Sequence, residues 1–287
     1  MDILPQLIVN SIIAGAIYTV TTLGFNLIYR TAKFFDLGYG AMAVVGAYSL
    51  YALAVQNSVS VFIALPLALI IAGLVGVLIH ALVYRPLRKR KASNLVLFIA
   101  SLGVSTVIQA LAAIFFSSQF QTLSGLTRDK VYQIGGADIT ETQVIIFVTG
   151  IILTILLMLW LKYTSFGKMI RAVGDDEEVS KIVGVNTNKV IRVVFFIASA
   201  IAGLAGIFIG MDTGIEPTMG LSLLLKGIIA AIIGGAGDIY GGVLGAFLLG
   251  FVENFGIWKI SGEWKDAIAF VLLIVFLIWR PKGILNR

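Results

Sequence analysis

Apolar residues follow one another along this chain in runs that are long enough to form membrane-spanning helices. Charged residues lie mostly in the short stretches between the runs. A helix needs about 20 mostly apolar residues to cross the hydrocarbon core of a bilayer. We predict helices at residues 4–29, 35–55, 61–84, 95–116, 144–161, 190–211, 221–233, 243–255 and 267–279.

Two neighbouring segments near the C-terminus, 221–233 and 243–255, are shorter than a full crossing requires. The link between them, residues 234–242, reads GGAGDIYGG, and glycine tolerates sharp turns. Two interpretations fit this pattern. Either both segments cross the bilayer as short spans, or they form a re-entrant pair that enters and leaves on one side.

Composition favours a membrane protein built from helices. Of 287 residues, 59% are hydrophobic and 13% are charged, with a mean hydropathy of +1.01, whereas soluble domains are about 45–50% apolar and about 25% charged. We therefore predict an all-α polytopic membrane protein with seven to nine spans, forming one transmembrane domain over residues 1–287. The polar stretches 117–143 and 162–189 are too short for a nucleotide-binding domain, and no phosphate-binding G-x-x-x-x-G-K-[ST] motif occurs.

Lysine and arginine concentrate on alternate loops, and loops rich in these residues stay in the cytoplasm. One set of loops and ends holds fifteen of them and the other holds four. This asymmetry predicts an external N-terminus, a cytoplasmic C-terminus and an odd number of crossings. The basic run 85–91 is then a topology anchor beside anionic lipid, and no nucleic-acid partner is expected. The fifteen are Arg30, Lys33, Arg85, Arg88, Lys89, Arg90, Lys91, Lys162, Lys168, Arg171, Lys181, Lys189, Arg280, Lys282 and Arg287, and the four are Arg128, Lys130, Lys259 and Lys265.

The cytoplasmic segment 167–189 carries a predicted short helix over 176–183. Asp175 is a candidate N-cap with Glu178 three residues later, an acidic variant of the capping box. Gly184 accepts the left-handed conformation that ends helices. Three apolar residues share one face of this helix by i, i+3 and i+4 spacing, and that face either docks in a groove of a partner or lies on a solvated or lipid surface. The three residues are Val179, Ile182 and Val183.

Polar residues within or beside apolar segments turn toward partners or a cavity. Asn26 and Gln109 are candidates for a solute path, because an amide both donates and accepts hydrogen bonds. Interhelical hydrogen bonding is the alternative for both. Asp36 either contributes to the path, caps the helix behind it, or pairs with the nearby Arg30 and Lys33.

Lys226 and Glu253 are charged residues in the two short segments, and both are candidates for the path. If the segments run antiparallel about a turn centred at residue 238, Lys226 lies opposite residue 250. Glu253 is then about 4.5 Å of helix rise beyond that level. Either the two residues form a salt bridge, or Lys226 binds carbonyls freed by the glycine break while Glu253 reaches the outer interface near Lys259.

Several motifs lie in order along the chain. D-L-G-Y-G-A occupies 36–41 with G-A-Y at 46–48, G-K-x-x-R-A occupies 167–172, a glycine-rich region covers 226–253, and R-P-x-G closes the chain at 280–283. Together they resemble the permease subunits of bacterial ABC importers of the branched-chain amino acid family. The departures from the family pattern are Asp36 for the usual Asn, Tyr39 for a frequent His and Ser180 for the usual Ala.

The resemblance implies a permease subunit of the bacterial cytoplasmic (inner) membrane that forms the translocation path with a second, similar permease subunit. It also implies two cytoplasmic ATPase subunits and a periplasmic or extracellular solute-binding protein. ATP and Mg²⁺ would bind to the ATPases, and this chain would bind no cofactor. Loop 162–189 would couple ATP hydrolysis to transport through Arg171, Asp175, Glu178, Val179, Ile182, Val183 and Gly184.

The implied cargo is a branched-chain or other small neutral amino acid, and urea or a short amide is the alternative within the family. A stand-alone channel or secondary transporter is the alternative from another class, and it has no need of a partner-binding helix in 167–189. The chain has no cysteine and one histidine, His80, and no constellation typical of catalysis or metal binding. The sequence therefore predicts a transporter subunit that is not itself an enzyme.

Overall fold

The computed structural model describes residues 3–123, 130–280 and 282–285, which are mostly α-helical. Arg128, Pro281 and Arg287, which entered the predictions above, lie outside the described residues. The elements are α1 (Ile3–Ala32), α2 (Gly38–Leu50), α3 (Val61–Ile79), α4 (Arg85–Lys89), α5 (Asn94–Phe116), β1 (Val131–Ile134), β2 (Ala137–Thr140), α6 (Glu141–Tyr163), α7 (Ser165–Asp175), α8 (Glu177–Ile182), α9 (Thr187–Asp212), α10 (Met219–Gly234), α11 (Ile239–Ile257) and α12 (Lys265–Trp279).

All nine predicted apolar segments are helices, so the all-α polytopic prediction is confirmed. Seven helical stretches in the described part of the chain are long and apolar enough to cross a membrane. Two π-helical segments interrupt the regular α-helical geometry, Tyr51–Gln56 after α2 and His80–Tyr84 between α3 and α4. α10 and α12 are shorter, with 16 and 15 residues.

The C-terminal helices run between the two ends of the bundle. The loop before α10 pairs with the chain that follows α5, through an N–H···O bond of 3.0 Å from Gln121 to Ile215. At its other end α10 meets the turn 235–238, where Gly237 lies beside Tyr29 and Arg30 near the end of α1. Because α10 connects opposite ends of the bundle, the structure favours crossing helices over the re-entrant pair.

α11 and α12 complete this arrangement. α11 returns alongside α1, with Gly250 against Ser11 and Gly15. α12 leads back to the end that holds the turn, where Ile284 N–H donates to the Ile233 carbonyl at 2.9 Å. Counting only described residues, nine helices therefore pass along the bundle, and an odd number agrees with termini on opposite sides.

α1 is the central helix and packs against α6, α9, α10 and α11. Its residues from Gly15 to Ile28 are buried without interruption. α3, α5 and α6 lie at the periphery and expose leucine and isoleucine side chains, as helices that face lipid or a neighbouring membrane helix do. The outer faces of these helices are thus mainly apolar. The buried polar side chains are concentrated toward the centre of the bundle.

Glycines allow close helix crossings at two places. A Cβ on Gly46 of α2 would overlap the backbone of Gly203 on α9, and a Cβ on Gly241 of α11 would overlap the backbone of Gly234 on α10. Small residues at such crossings bring backbones together and favour van der Waals packing in lipid. These contacts explain why α10 and α11 extend beyond the predicted 221–233 and 243–255, into glycines that sequence alone assigned to a link.

A short antiparallel hairpin, β1–β2, precedes α6 and was not predicted. Asp138 in β2 meets the N-terminal turn of α1, since its N–H donates to Gln6 Oε1 at 2.8 Å. Thr140 and Gln143 then form a capping box that begins α6. The first turn of α1, the hairpin and residues 117–123 after α5 therefore lie at one end of the bundle, while α4, α7 and α8 lie at the other.

Candidate functional site

The segment after α6 folds into two short helices rather than one. Thr164 begins α7 by accepting the Gly167 N–H at 3.0 Å. Asp176, in extended conformation, begins α8 by accepting the N–H groups of Glu178 and Val179 at 2.8 and 3.0 Å. The prediction of Asp175 as N-cap was therefore wrong by one residue, because α7 continues through Asp175.

The two charged residues of α7 that were predicted to take part in coupling both make contacts within the chain. Asp175 pairs with Arg30 of α1 at 3.5 Å. Arg171 donates from Nη1 to the Leu161 carbonyl near the end of α6. Both contacts attach α7 to the membrane helices α1 and α6.

Glu177 attaches α8 to two other elements. It pairs with Arg88 of α4 at 2.5 Å and with Lys181 of its own helix at 2.8 Å. Thr187 at the start of α9 also donates to it, at 3.4 Å. Burial acts to raise the pKa of this carboxyl, but the contacts with Lys181, Arg88 and Thr187 outweigh it and hold the pKa below its usual range.

The predicted apolar face of α8 is exposed. Val179, Ile182 and Val183 are 54%, 84% and 71% exposed, whereas Ser180 on the opposite face is buried against the bundle. Gly184 follows with φ of +88°, the left-handed conformation predicted for it. We call Val179, Ile182 and Val183 the apolar stripe. Glu177 and Ser180 face the bundle and hold α8 against it. The three side chains of the apolar stripe therefore present a hydrophobic surface at the end of the bundle that carries α4.

Of the two alternatives for Lys226 and Glu253, the salt bridge is the one observed, with Nζ and Oε1 2.6 Å apart. The alternative in which Glu253 reaches Lys259 at the interface is not the arrangement observed. Tyr18 OH donates to the other carboxylate oxygen at 2.7 Å, and Lys226 also pairs with Asp266 at 2.8 Å. This buried polar network joins α1, α10, α11 and α12.

The charges in the network are balanced. Glu253 is fully buried and Lys226 nearly so, and Lys265 approaches Glu253 at 3.9 Å. A buried charge needs a partner and hydrogen bonds to offset its desolvation. Each charge in this network has an oppositely charged partner. The network is therefore suited to fixing the relative positions of four helices.

Asn26 and Gln109, predicted as a pair facing a path, are not hydrogen-bonded to each other. Asn26 is fully buried and binds the turn after α10: its Nδ2 donates to the Asp238 carbonyl at 2.8 Å and its Oδ1 accepts from Gly237 N–H at 3.0 Å. Gln109 is half-buried on α5 and donates to Ser105 at 3.4 Å.

Asp36 is buried at the start of α2. Its Oδ1 accepts from Gly38 N–H at 2.9 Å and from Tyr84 OH at 2.6 Å. Among the described residues it makes no ion pair with Arg30 or Lys33. Leu37 occupies the N-cap position of α2, and Asp36, one residue earlier, satisfies the first N–H of that helix. A tyrosine of the segment between α3 and α4 is its second donor.

Sequence reasoning did not single out Tyr18, Arg88 or Asp266 as partners. Tyr18 and Glu253 are 235 residues apart, and Arg88 and Glu177 are 89 apart. Local spacing carries no information on such contacts. The one available signal was the charge of Asp266 at the start of the last apolar segment, close in sequence to Glu253.

Comparisons with known proteins agree with the sequence motifs. The chain matches the family described as branched-chain amino acid transport system / permease component over residues 7–277. It is 30% identical to the high-affinity branched-chain amino acid transport system permease protein BraD of Pseudomonas aeruginosa, over 98% of this chain and 95% of BraD. It is 29% identical to the corresponding permease protein LivH of Salmonella typhimurium, with the same coverage of both chains.

A solved structure has a similar fold. PsaBC from Streptococcus pneumoniae in complex with Fab matches with a TM-score of 0.56 and 15% identity, over 98% of this chain and 93% of that chain. At this identity the likeness concerns the fold alone. The family match, by contrast, extends over nearly the whole bundle, including the network and the stripe. The chain is a multi-pass membrane protein that belongs to the family of branched-chain amino acid transport system permease components.

Proposed function

We propose that this chain is the membrane-spanning subunit of an ATP-driven importer for branched-chain or other small neutral amino acids. It would form the translocation path with a second permease subunit, receive its solute from an external binding protein, and be driven by two cytoplasmic ATPases that hold ATP and Mg²⁺. Residues 1–287 would form one permease domain, with loop 162–189 as the coupling segment. The relatives named above are permeases of branched-chain amino acid transport systems, which supports the cargo.

The exposed apolar stripe is the observation that carries this proposal. Three apolar side chains on an exposed helix at the basic end of the bundle form a surface suited to a hydrophobic groove on another protein. α8 is attached to α4 and α9 through Glu177, and α7 is attached to α1 and α6. A force applied to the stripe by an ATPase would therefore reach four elements of the membrane domain.

The proposed orientation puts the stripe in the cytoplasm. The loops at that end hold most of the lysine and arginine residues, and basic loops resist translocation. The hairpin β1–β2 and the N-terminus would then face the external binding protein. A solute enters at that end and leaves beside α4 and α8.

The path itself would lie between this subunit and the second permease. Gln109 is the path residue we propose from this chain, because its amide is half-exposed on the peripheral helix α5. Asn26, Asp36, Lys226 and Glu253 have their polar groups bound inside the chain. We assign these four residues to supporting the path rather than to contacting the solute.

Co-purification of an ATPase tests the coupling role directly. Val179→Asp combined with Ile182→Asp places two charges on the apolar stripe, and we expect the ATPase to dissociate and uptake to be lost while the permease stays in the membrane. Val131→Asp combined with Tyr132→Asp is the control for ATPase retention, because these residues are also exposed, but on β1 at the opposite end. Uptake is not compared for this control, since β1 faces the proposed binding protein. Full ATPase retention and uptake by the α8 variant would contradict the proposal, as would uptake by the chain without any ATPase, which a stand-alone transporter predicts.

Uptake in reconstituted vesicles tests the cargo. Labelled leucine should enter in an ATP-dependent manner, and unlabelled valine or isoleucine should compete. Urea and short amides serve as the comparison, because competition by urea in place of the amino acids would reassign the cargo within the family.

A further inference from the structure

A cleft between α6 and α11 combines a basic part and an apolar part. α1 packs against both helices and forms the floor of the cleft. Two cavities lie along it, one of about 330 Å³ at the end that holds α7 and one of about 90 Å³ nearer the middle of the helices. We call this feature the α6–α11 cleft.

The larger cavity is basic on one side and apolar on the other. Arg30, Lys162 and Arg171 line it together with one acidic residue, Asp238. Asp238 Oδ1 already accepts the Gly241 N–H at 3.0 Å as the cap of α11. Arg30 also pairs with Asp175 at 3.5 Å. Three cations against two carboxylates still leave an excess of positive charge at the level where the membrane helices end.

The smaller cavity is apolar and continues the same helix faces. On α6 the lining proceeds from Ile151 and Thr154 to Met158 and then Lys162, in steps of three or four residues. On α11 it proceeds from Phe247 and Val243 to Ile239, also in steps of four. Residues three and four apart share a face of a helix, so the two cavities are successive parts of one cleft.

We propose that the α6–α11 cleft is a binding site for an anionic phospholipid. The phosphate binds between Lys162 and Arg171 with Arg30 behind them, and one acyl chain lies along Ile151 and Phe247 toward the middle of the membrane. Basic pockets between membrane helices at the cytoplasmic interface bind anionic headgroups. Free phosphate shares the headgroup chemistry but leaves the apolar part of the cleft unfilled, which favours the lipid as occupant.

The proposed lipid site is formed in part by α7. Arg171 and Ile170 form one wall of the larger cavity, and α7 continues directly into the cap of α8. A bound headgroup therefore braces the helix that leads to the apolar stripe. The lipid site itself does not depend on the proposed transport function, and only the assignment to the cytoplasmic leaflet rests on the proposed orientation.

Native mass spectrometry of the full-length chain, purified with whatever subunits accompany it, tests this proposal. Phosphatidylglycerol should be retained in preference to phosphatidylcholine, and glycerol phosphate without acyl chains should not bind. Lys162→Gln should weaken phosphatidylglycerol binding by about fivefold, the effect of one cation near a membrane surface. Lys168→Gln is the matched control, because Lys168 is exposed on α7 and does not line the cavity.

A second pair of variants tests the apolar part. Ile151→Trp fills the cleft and should remove most of the bound phosphatidylglycerol, whereas Ile152→Trp, exposed on α6 outside the cleft, should not. Equal retention of both lipids, or no effect of either Lys162→Gln or Ile151→Trp, would overturn the proposal. Binding of glycerol phosphate alone would reassign the site to a soluble anion, and disulfide formation between Ile151→Cys chains would reassign the cleft to a second copy.

Discussion

At the scale of single residues, the Lys226–Glu253 pair is a buried interaction on which the stability of this bundle depends. Glu253 is fully buried and depends on Tyr18, Lys226 and the more distant Lys265 for its stabilisation. Removing one partner of a buried ion pair leaves the other uncompensated, which costs about 3–5 kcal/mol. Removing both charges avoids that penalty, so single and double variants should behave differently.

We therefore expect Lys226→Met to lower the melting temperature and the membrane level of the protein. Lys226→Met combined with Glu253→Gln should recover part of the loss, because no buried charge then lacks a partner. Lys259→Met is the control, since that lysine lies over the exposed Trp258 outside the network. A double variant no better than the sum of its single variants would contradict the coupling, and thermal unfolding of the purified protein measures it.

The Glu177 carboxyl gives a prediction about pH. Burial opposes its ionisation, but Lys181, Arg88 and Thr187 together lower its pKa in the folded protein. A group with a lowered folded pKa stabilises the protein above its unfolded pKa, about 4.3 for glutamate, and loses that contribution as pH falls through the folded pKa. Glu177→Gln should thus lower the melting temperature at pH 7, and the difference from wild type should close below pH of about 4. A difference that persists unchanged at acid pH would contradict this role.

Part of this residue-level description could be predicted from sequence. Helix rise and an antiparallel turn made the Lys226–Glu253 pair one of two alternatives, because both residues belong to adjacent segments, and the structure selects the pair. Asp175 and Asp176 could not be distinguished as caps, because the choice depends on where α7 ends. The partners Tyr18 and Arg88 come from distant parts of the chain, and their contacts follow from the packing of whole helices.

At the scale of elements, the lengths of α10 and α11 depend on contacts that sequence does not display. Glycine lowers helix propensity, so the runs around Gly234 and Gly241 favour a loop when each segment is considered alone. In the bundle the absence of a side chain lets the two backbones approach. The helices therefore continue into glycines that local propensity assigned to a turn, and only residues 235–238 remain outside them.

The close helix crossing at Gly46 predicts that alanine is tolerated much less well there than at Gly103. Gly46→Ala should destabilise the bundle by about 1–3 kcal/mol or more, because its Cβ would overlap the backbone of Gly203 and neither helix can yield locally. Gly103→Ala on α5 is the control, since no atom lies within 4 Å of its added Cβ. Thermal unfolding should show a loss for the first variant only. A similar loss for both would contradict the role of the crossing, because alanine is otherwise the better helix former.

The end of α8 offers a prediction that separates backbone from side-chain effects. Gly184 has φ of +88° and open space around its Cβ position, so Gly184→Val is opposed by backbone conformation alone. Asparagine tolerates this conformation better than β-branched residues. We expect Gly184→Val to reduce solute-stimulated ATP hydrolysis and uptake together, and Gly184→Asn to retain more of both. Equal activity of the two variants would contradict a role for the orientation of α8.

At the scale of the whole molecule, the hydrophobic pattern predicted the class of fold, but it left open how many of the helices cross the membrane. Nine apolar segments became nine helices, because an unsatisfied backbone in lipid leaves few alternatives to a helix. Whether α10 and α11 cross or turn back depends on their contacts at both ends. These contacts join α10 to the chain after α5 at one end and to α1 at the other.

The number of passes and the orientation can be tested together with single cysteines, because the native chain has none. Gln119 is exposed beyond α5, Ser93 is exposed before it, and Tyr240 is exposed in the first turn of α11. If α10 crosses and the basic end is cytoplasmic, an impermeant thiol reagent applied to spheroplasts should label Gln119→Cys and spare Ser93→Cys and Tyr240→Cys. Inside-out vesicles should give the opposite pattern. Labelling of Tyr240→Cys from the same side as Gln119→Cys would restore the re-entrant pair, and labelling of Ser93→Cys in spheroplasts would invert the orientation.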